Sequence, residues 1–384
     1  MKLAFESKLP DVGTTIFTVM SKLAADCGAL NLSQGFPDFD GPERLRALVT
    51  EHLNAGRNQY APMAGVAALR EEIAHKLARL YGHAADPEHE ITVTAGGTEA
   101  IFCAVQAVVR AGDEVIALEP AYDSYEPAVT LAGGHMVRVP LRRPDFSVDW
   151  QRVADAITPR TRLLMVNTPH NPSGAAWEAN DLSRCAELVA RHGLYLLSDE
   201  VYEHILFDGR EHMSMLRNAA LAARSFVISS FGKTYHTTGW KVGYCVAPLA
   251  LTREFRKVHQ FVQFSVVTPM QYALADFLRE CPEHYLRLPA FYEVRRDRFA
   301  SLLAASRLRL RPSAGTYFQL VDYSHLSELP DVAYAEHLTR TIGVAAIPVS
   351  VFSVTNPPGE RLLRFCFAKD DATLVAAAER LARI

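Results

Sequence analysis

The chain has 384 residues, of which 49% are hydrophobic and 22% are charged, a composition typical of globular proteins with room for two or more domains. The net charge of −3 and the lack of a dense lysine–arginine block argue against nucleic acid and anionic membranes as partners. No apolar run of about 18 residues occurs, so no transmembrane helix is expected.

The cysteines and histidines show no pattern typical of a metal site or of a disulfide framework. The six cysteines are scattered without a Cys-x-x-Cys pair, and the 14 histidines lack His-x-x-x-His spacing. We therefore expect no metal and a reducing, cytoplasmic location. The first residues also contain too short an apolar run for a signal peptide.

The first 90 residues predict an arm, three helices and two irregular segments. The helices are expected over 16–25, 43–55 and 66–81, because their apolar residues recur at helical spacing. Residues 31–37 contain Gly35, an aromatic residue and a proline, which favour a turn or an extended segment. Tyr60 lies in the loop between the second and third helices.

From residue 91 the pattern alternates between strands and helices, which is typical of a parallel sheet. Strands are predicted at 91–94, 114–118, 162–166, 194–197, 225–228 and 244–247, and helices at 100–110 and from 252 onward. The turn containing Gly97 and Thr98 joins a strand to a helix. Such a turn directs backbone N–H groups at one point and suits a phosphate, although many glycine turns serve only to reverse the chain.

Polar and aromatic candidates follow the ends of successive predicted strands. They are Tyr122, Asn171, Asp199 and Lys233. Each has an ordinary alternative: core packing for the tyrosine, a turn for the asparagine, a helix cap or salt bridge for the aspartate and a surface position for the lysine. Ligands of such sheets bind outside the carboxyl ends of the strands, so their shared location favours one site. There a buried lysine with a lowered pKa can act as a nucleophile.

The last hundred residues predict a smaller α+β unit. A helix over 282–303 leads to strands at 307–311, 315–320 and 361–367, and to a final helix over 371–383. Arg364 lies within the last strand, whose alternation places it on one face with Leu362 and Cys366. An arginine there suits bidentate capture of a carboxylate; a structural salt bridge is the alternative.

Seven segments, taken in order, resemble the class I aminotransferases of the fold-type I pyridoxal phosphate (PLP) enzymes. They lie at 31–37, 58–60, 94–99, 171–174, 199–202, 229–241 and 364–367. The resemblance covers nearly the whole chain and is closest to methionine and kynurenine–glutamine aminotransferases. It implies an α/β fold in which a large domain contains a mainly parallel seven-stranded sheet between helices and is joined to a smaller α+β domain. The implied divisions are 1–45 (arm and part of the small domain), 46–280 (large PLP-binding domain) and 281–384 (small domain).

The resemblance also implies a role for each matching residue. Lys233 would bind PLP covalently and move a proton between the substrate Cα and the cofactor. Asp199 would pair with the ring nitrogen and Arg364 would bind the substrate α-carboxylate. The remaining roles are ring contacts from Tyr122, Asn171 and Tyr202, phosphate contacts from Gly97, Thr98, Ser230, Lys241 and a partner's Tyr60, and substrate contacts from Gly35 and Asn171.

Two departures from the family pattern bear on phosphate and substrate binding. Lys241 stands where the family often has arginine, and it supplies a compact charge without the guanidinium fork. No second arginine for a distal carboxylate is identifiable, and the aromatic residues Phe17, Phe36, Tyr122 and Phe264 favour an uncharged side-chain pocket. The predicted reaction is transamination between a 2-oxo acid and methionine, aromatic amino acids, kynurenine or glutamine, in a homodimer.

Two alternatives to transamination remain open at this stage. A carbon–sulfur β-lyase of the same fold and cofactor also begins with deprotonation at Cα, so the motifs do not separate the two enzymes. A non-enzymatic effector-sensing domain is the remote alternative. Such a regulator is expected to carry a basic helix-turn-helix segment, and the sequence contains none.

Overall fold

The computed structural model describes residues 6–311 and 313–384. The strands, in chain order, are β1 (Leu30–Asn31), β2 (Ile91–Thr94), β3 (Glu114–Glu119), β4 (His135–Pro140), β5 (Thr161–Asn167), β6 (Tyr195–Asp199), β7 (Ser225–Ser230), β8 (Gly243–Val246), β9 (Arg309–Arg311), β10 (Phe318–Asp322), β11 (Val344–Ala345), β12 (Ile347–Pro348) and β13 (Leu362–Cys366).

The α-helices surround these strands. In chain order they are α1 (Ile16–Cys27), α2 (Glu43–Asn54), α3 (Ala67–Tyr81), α4 (Gly97–Val108), α5 (Tyr125–Leu131), α6 (Trp150–Asp155), α7 (Ala179–His192), α8 (Ala219–Ala222), α9 (Phe231–Thr234), α10 (Leu249–Val262), α11 (Thr268–Glu280), α12 (Glu283–Leu303), α13 (Asp331–His337) and α14 (Asp371–Leu381). Among the described residues, none of these helices combines the length and apolar character needed to cross a membrane.

The larger sheet has seven strands in the order β2-β8-β7-β6-β5-β3-β4. Strand β8 runs antiparallel to both of its neighbours, and the other pairs are parallel. The predicted seven-stranded, mainly parallel sheet is therefore confirmed. The periodicity had indicated six of these strands and missed β4, an edge strand whose side chains are mostly only half-buried.

Both faces of this sheet are covered, which explains the continuous apolar runs in its central strands. One face packs into a core that includes Leu164, Val166, Leu196 and Val227. The opposite face packs into a second core that includes Leu163, Met165, Leu197 and Phe226. Alternate residues of each strand therefore enter different cores, and no polar face remains to produce a period-two pattern.

A second sheet lies in the C-terminal part of the chain, with the antiparallel order β12-β13-β10-β9. The N-terminal segment packs against this part of the chain. Strand β1 pairs in parallel with β11 in a separate two-stranded sheet, and Met20 and Leu23 of α1 share a core with Val321 and Leu363 of the second sheet. The domain divisions at residues 45 and 280 remain predictions.

One local difference from the sequence prediction lies at the end of β7. The apolar run predicted a strand ending at Ile228, but β7 continues through Ser230 because Ser229 and Ser230 pair with Tyr244 and Gly243 of β8. Lys233 lies in α9, a single helical turn that follows β7 directly. Tertiary pairing here outweighs the low strand preference expected of two serines.

Gly243 allows β7, β8 and the turn before α4 to approach closely. A Cβ atom at this position would lie 2.6 Å from the Ser229 carbonyl oxygen and 3.1 Å from Gly96 Cα. We expect Gly243→Ala to lower the free energy of unfolding by about 1–3 kcal/mol, the usual cost of forcing a methyl group into a packed region. Chemical denaturation followed by circular dichroism measures this change.

Gly239→Ala provides the matched control, because a Cβ atom there would have no described heavy atom within 4 Å. Its free energy of unfolding should change by less than about 0.5 kcal/mol. Equal stability of the two variants would contradict the close packing at Gly243.

Candidate active site

A cavity opens at the carboxyl ends of β5, β6 and β7 and at the start of α4. It brings together nine of the predicted site residues: Gly97, Thr98, Tyr122, Asn171, Asp199, Tyr202, Ser230, Lys233 and Lys241. Neighbouring parallel strands end at the same edge of the sheet, so residues far apart in the sequence meet there. Gly35 and Arg364 lie against this group, whereas Tyr60 does not.

The Lys233 side chain projects from α9 into this cavity. Its Nζ lies 3.4 Å from the Gly35 carbonyl oxygen and 5.7 Å from the centre of the Tyr202 ring. Burial, assisted by the positive charge of Lys241, lowers the pKa of Lys233 to about 8. A larger fraction of this amine is therefore neutral near pH 7 than for an exposed lysine, and a neutral amine is nucleophilic and able to accept a proton.

Asp199 ends β6 and is buried. Its carboxylate accepts a 2.7 Å hydrogen bond from the Tyr125 hydroxyl and a weaker one from the Val201 amide at 3.3 Å. Burial raises the pKa of Asp199 to about 6, although these hydrogen bonds oppose the rise. A buried carboxyl group with a raised pKa is suited to a cationic partner, because the positive charge would offset the free-energy cost of desolvating the carboxylate.

Asn167 connects the ends of β5 and β6 and also positions Asn171. Asn167 lies opposite Asp199 in the sheet register, and its amide nitrogen donates to the Asp199 carbonyl oxygen at 2.8 Å. Its side-chain oxygen accepts from the Asn171 amide at 2.7 Å. Asn167 thereby holds Asn171 beside the cavity, which Asn167 also lines.

The start of α4 forms an anion cradle together with Ser230 and Lys241. Gly96, just before the helix, has a φ of 80°, a left-handed conformation that glycine adopts without a steric penalty. A Cβ atom built on Gly96 would lie 3.4 Å from Lys241 Nζ, so the ammonium group sits directly over the turn. Free amides at the start of a 12-residue helix, a hydroxyl and an ammonium suit a phosphate group.

Aromatic rings form the remaining walls of the cavity. Tyr202 is buried and packs edge-on against Tyr317 at 5.2 Å, and Tyr317 donates a 2.6 Å hydrogen bond to the Gly35 carbonyl oxygen. Tyr122 lies on another side, where burial raises its pKa to about 12. Burial also raises the pKa of Tyr202. The phenols of Tyr122 and Tyr202 therefore remain protonated near neutral pH and can donate hydrogen bonds next to a planar ligand.

Arg364 in β13 reaches this cavity from the smaller sheet. One terminal nitrogen donates to Asn171 Oδ1 at 2.7 Å and the other donates to the Ser33 carbonyl oxygen at 3.0 Å, while the guanidinium lies over the Phe318 ring at 3.9 Å. Its buried Nε finds no acceptor among the described residues. A buried guanidinium with no carboxylate of its own is suited to a carboxylate ligand.

Tyr60 lies outside the cavity. Its side chain is 82% exposed, and its ring contacts Phe264 edge-on at 5.4 Å. Phe264, predicted to line the substrate pocket, therefore also lies away from Lys233 within a single chain.

Two buried polar clusters lie next to the segments that form the cavity. In one, Glu203 accepts hydrogen bonds from Lys76 at 2.7 Å and from the Ser229 hydroxyl. Burial opposes ionisation of Glu203, but the Lys76 ammonium outweighs it and holds the pKa of Glu203 below its usual range. Because Glu203 and Ser229 adjoin Tyr202 and Ser230, this ion pair fixes the backbone of two cavity residues.

The second cluster lies under the first turn of α4. Glu99 accepts hydrogen bonds from the Ala95 amide at 3.0 Å and from Cys103 Sγ at 2.8 Å, and it contacts His259 Nδ1 at 2.9 Å. His259 Nε2 faces the Met63 carbonyl oxygen at 3.0 Å. The sequence spacing had not indicated this glutamate–cysteine–histidine group, whose ligand atoms lie within 4.8 Å of one another, but each of these atoms already has a hydrogen-bond partner.

The sequence prediction missed Asn167, Tyr125 and the Glu203–Lys76 pair. Asn167 could have been chosen, since it directly ends a buried strand as Asp199 does. Tyr125 follows Tyr122 by three residues, and no sequence pattern links it to residue 199. The partner of Glu203 is 127 residues away in the sequence, so only the tertiary structure reveals the pair.

The chemical capacity of the site follows from these contacts. An amine with a lowered pKa and a buried acid face one cavity that also contains an anion cradle and a guanidinium suited to a carboxylate. This arrangement suits a phosphate-bearing aromatic cofactor together with a substrate that carries a carboxylate.

Comparisons with known proteins show the family to which the chain belongs. Residues 28–381 match the family model for aminotransferase class I and II. The chain is 55% identical to methionine aminotransferase of Escherichia coli (strain K12), with 99% of this chain and 98% of that protein covered. It is 36% identical to kynurenine–oxoglutarate transaminase 3 of Rattus norvegicus, with 99% and 90% covered.

A solved structure is similar over the whole length. The crystal structure of YbdL from Escherichia coli, reported with a methionine aminotransferase function, superposes with a TM-score of 0.97 at 55% identity and covers 100% of both chains. The chain belongs to the class I and II aminotransferase family. It is an aminotransferase, an enzyme that transfers an amino group between an amino acid and a 2-oxo acid, and the predicted resemblance to methionine and kynurenine aminotransferases is confirmed.

The lowered pKa of Lys233 depends in part on Lys241. Replacing Lys241 with methionine removes that positive charge, so we expect the pKa of Lys233 to rise above its present value of about 8. The pH dependence of Lys233 acetylation by a brief pulse of acetic anhydride, read by peptide mass spectrometry without added cofactor, measures the midpoint.

Lys257→Met is the control, because Lys257 lies on the surface and pairs with Glu254. Its midpoint should match that of the unmodified chain. A Lys241→Met midpoint that does not move upward would contradict the electrostatic coupling between the two lysines.

Proposed function

We propose that this aminotransferase uses PLP, bound in the cavity at the ends of β5, β6 and β7, and that its amino donors carry uncharged side chains, methionine foremost. The observation that carries the proposal is the convergence of Lys233, Asp199 and the α4 anion cradle on one cavity. When bound, PLP supplies an electron-accepting ring that stabilises the negative charge formed at the substrate Cα.

Asp199 is the proposed partner of the cofactor's ring nitrogen. Its buried carboxyl has no ion-pair partner among the described residues, so a protonated ring nitrogen would supply the missing positive charge. The Tyr125 hydroxyl orients the carboxylate from the other side. Asn171 and Tyr202 are the proposed donors to a ring oxygen, and Tyr122 is the proposed cover of a ring face; the support is that all three line the cavity.

Lys233 is the proposed proton carrier at the substrate Cα. Its Nζ would accept the proton from the substrate Cα and hold it for return, and a base with a pKa of about 8 is close to the operating pH that such a step favours. Gly35 limits the space above the amine, because its carbonyl oxygen lies 3.4 Å from Nζ.

Arg364 is the proposed binding group for the substrate α-carboxylate. It is held by Asn171 and Ser33, and these contacts fix the guanidinium plane before a substrate arrives. This preorganisation reduces the entropy lost on binding. Gly35 lies at the same end of the cavity, next to Lys233.

The proposed preference for uncharged side chains is supported by the aromatic groups around Arg364. Phe17 lies 5.4 Å from the guanidinium carbon, and the 45% exposed Phe36 stands next to Gly35. Methionine and aromatic side chains bury well against such rings. The relatives named for methionine and kynurenine support the same choice.

The experiment that tests this function follows the bound cofactor in a single half-reaction. The PLP-loaded protein is mixed with methionine, phenylalanine, kynurenine, glutamine or aspartate, and the visible absorbance of the cofactor is recorded. We expect rapid conversion to the amine form with methionine and at least about tenfold slower conversion with aspartate, because no arginine is among the described residues that line this cavity to bind the second carboxylate.

Lys233→Ala is the control variant, and it should lose both the absorbance of lysine-bound cofactor and the conversion. Retention of that absorbance band in Lys233→Ala would contradict the assignment of the lysine. Release of pyruvate and ammonia from a cysteine conjugate without any 2-oxo acid would instead support the β-lyase alternative.

We also propose that two copies of the chain form a dimer in which Tyr60 contacts the phosphate in the partner's cavity. The support is an exposed apolar patch formed by Tyr60, Phe261, Val262, Phe264 and Val267; the first two side chains are 82% and 87% exposed. A hydrogen bond from the Thr268 hydroxyl to the Gln59 carbonyl oxygen at 2.6 Å holds its two segments together. Patches of this kind usually mark protein contacts.

A mixed dimer tests this arrangement. Tyr60→Phe alone should weaken PLP binding about tenfold, the usual effect of losing a hydrogen bond to a charged group. The mixed dimer contains one Tyr60→Phe chain, which keeps Lys233, and one Lys233→Ala chain, which keeps Tyr60. If Tyr60 acts across the interface, the cavity that contains Lys233 receives the intact Tyr60 of the other chain.

We therefore expect one site of ordinary affinity for each mixed dimer, measured by absorbance titration of purified, differently tagged dimers. The Tyr60→Phe homodimer is the matched control. If the mixed dimer binds as weakly as that control, Tyr60 acts within its own chain and the proposal is wrong.

A further inference from the structure

A second cavity adjoins the candidate active site and has a different electrostatic character. It lies between the N-terminal segment 11–16, the start of α5 and the end of the loop that contains Phe352. The charged side chains along its described lining are Asp11, Asp123, Glu126 and Arg138.

Geometry connects this cavity with the carboxylate-binding end of the active site. Tyr122 lines both cavities. Phe352, in the wall of the second cavity, has its ring centre 5.7 Å from the Arg364 guanidinium carbon, and its carbonyl oxygen accepts a 2.8 Å hydrogen bond from the Ala121 amide. The second cavity therefore adjoins the end of the active site at which Arg364 lies.

The charge of the second cavity is not balanced. Arg138 is its single cation among the described lining residues, and this arginine is already paired with Glu126 at 2.6 Å. Neither Asp11 nor Asp123 forms an ion pair with a described residue. The cavity therefore retains negative charge that an entering side chain would encounter.

Asp123 is the closer of these two carboxylates to the active site along the chain, because it follows Tyr122 directly. Asp123 is exposed within one chain, and partial desolvation raises the pKa of its carboxyl group, whereas the positive charge of Arg364 opposes the rise. The negative charge of the Asp123 carboxylate also contributes to the raised pKa of the Tyr122 phenol. Both effects are consistent with a position between the second cavity and the active site.

We propose that Asp123 is a specificity-determining residue that excludes amino acids with a distal carboxylate and so favours glutamine over glutamate. This inference rests on the proposed function, because it takes Arg364 as the group that binds the α-carboxylate. Discrimination of this kind is achieved by repelling the wrong substrate. It also differs from simple hydrophobic selection, since glutamine and glutamate have nearly the same shape and differ in charge.

The test compares these two isosteric donors in the half-reaction of the PLP-loaded protein at pH 8. For Asp123→Asn we expect the ratio of kcat/KM for glutamate to that for glutamine to rise at least about tenfold, equivalent to about 1.4 kcal/mol. The ratio should rise because kcat/KM for glutamate increases, while kcat/KM for glutamine stays nearly constant. Asp123→Ala provides a second variant, which should show the same direction if Asp123→Asn folds poorly.

Asp155→Asn is the matched control, because it makes the same charge change on the remote helix α6; its ratio should equal that of the unmodified protein. A ratio that stays constant in folded Asp123 variants, with methionine still converted, overturns the role of Asp123 alone. Failure of the unmodified protein to convert any of the three donors overturns the proposed function itself, so the two failures are distinguishable.

Discussion

The structure of the site depends on a buried carboxyl group, Asp199, which no described cation neutralises. Burial alone makes its ionised form costly, and hydrogen bonds from Tyr125 and the Val201 amide only partly offset that cost. The protein keeps this group in place because β6 is anchored between β5 and β7 at the centre of the sheet. Asp199 lines the cavity together with Asn167, Tyr202 and Lys233, so a cationic ring nitrogen is the partner that our proposal assigns to it.

Rigidity around that carboxyl group comes from buried polar contacts on several sides. Asn167 ties the ends of β5 and β6 together, and the Glu203–Lys76 ion pair fixes the segments next to Tyr202 and Ser230. Buried pairs of this kind often add little net stability. Here they hold the backbone on which the cavity residues stand, and that geometric role accounts for placing charges inside the core.

Charge is distributed unevenly along the path that a substrate would occupy. Lys241, Lys233 and Arg364 give the inner end a positive potential suited to a phosphate and an α-carboxylate. The adjoining cavity carries the opposite sign through Asp11 and Asp123. On the proposed function, a molecule with one carboxylate is favoured by this charge distribution, whereas a second carboxylate near Asp123 is repelled.

The sequence predicted the central strands and the shared location of Tyr122, Asn171, Asp199 and Lys233, because buried parallel strands read as apolar runs and their polar ends stand out. Its resemblance to the class I aminotransferases supplied Tyr202, Ser230 and Lys241. The sequence did not determine the edge strand β4, the extension of β7 through Ser230 or the support from Tyr125 and Lys76. Those features depend on partners that lie far away in the chain. Only the tertiary structure brought Arg364 to Asn171 across 193 positions and set Asp123 beside a second cavity, because pairing between distant segments leaves no local pattern.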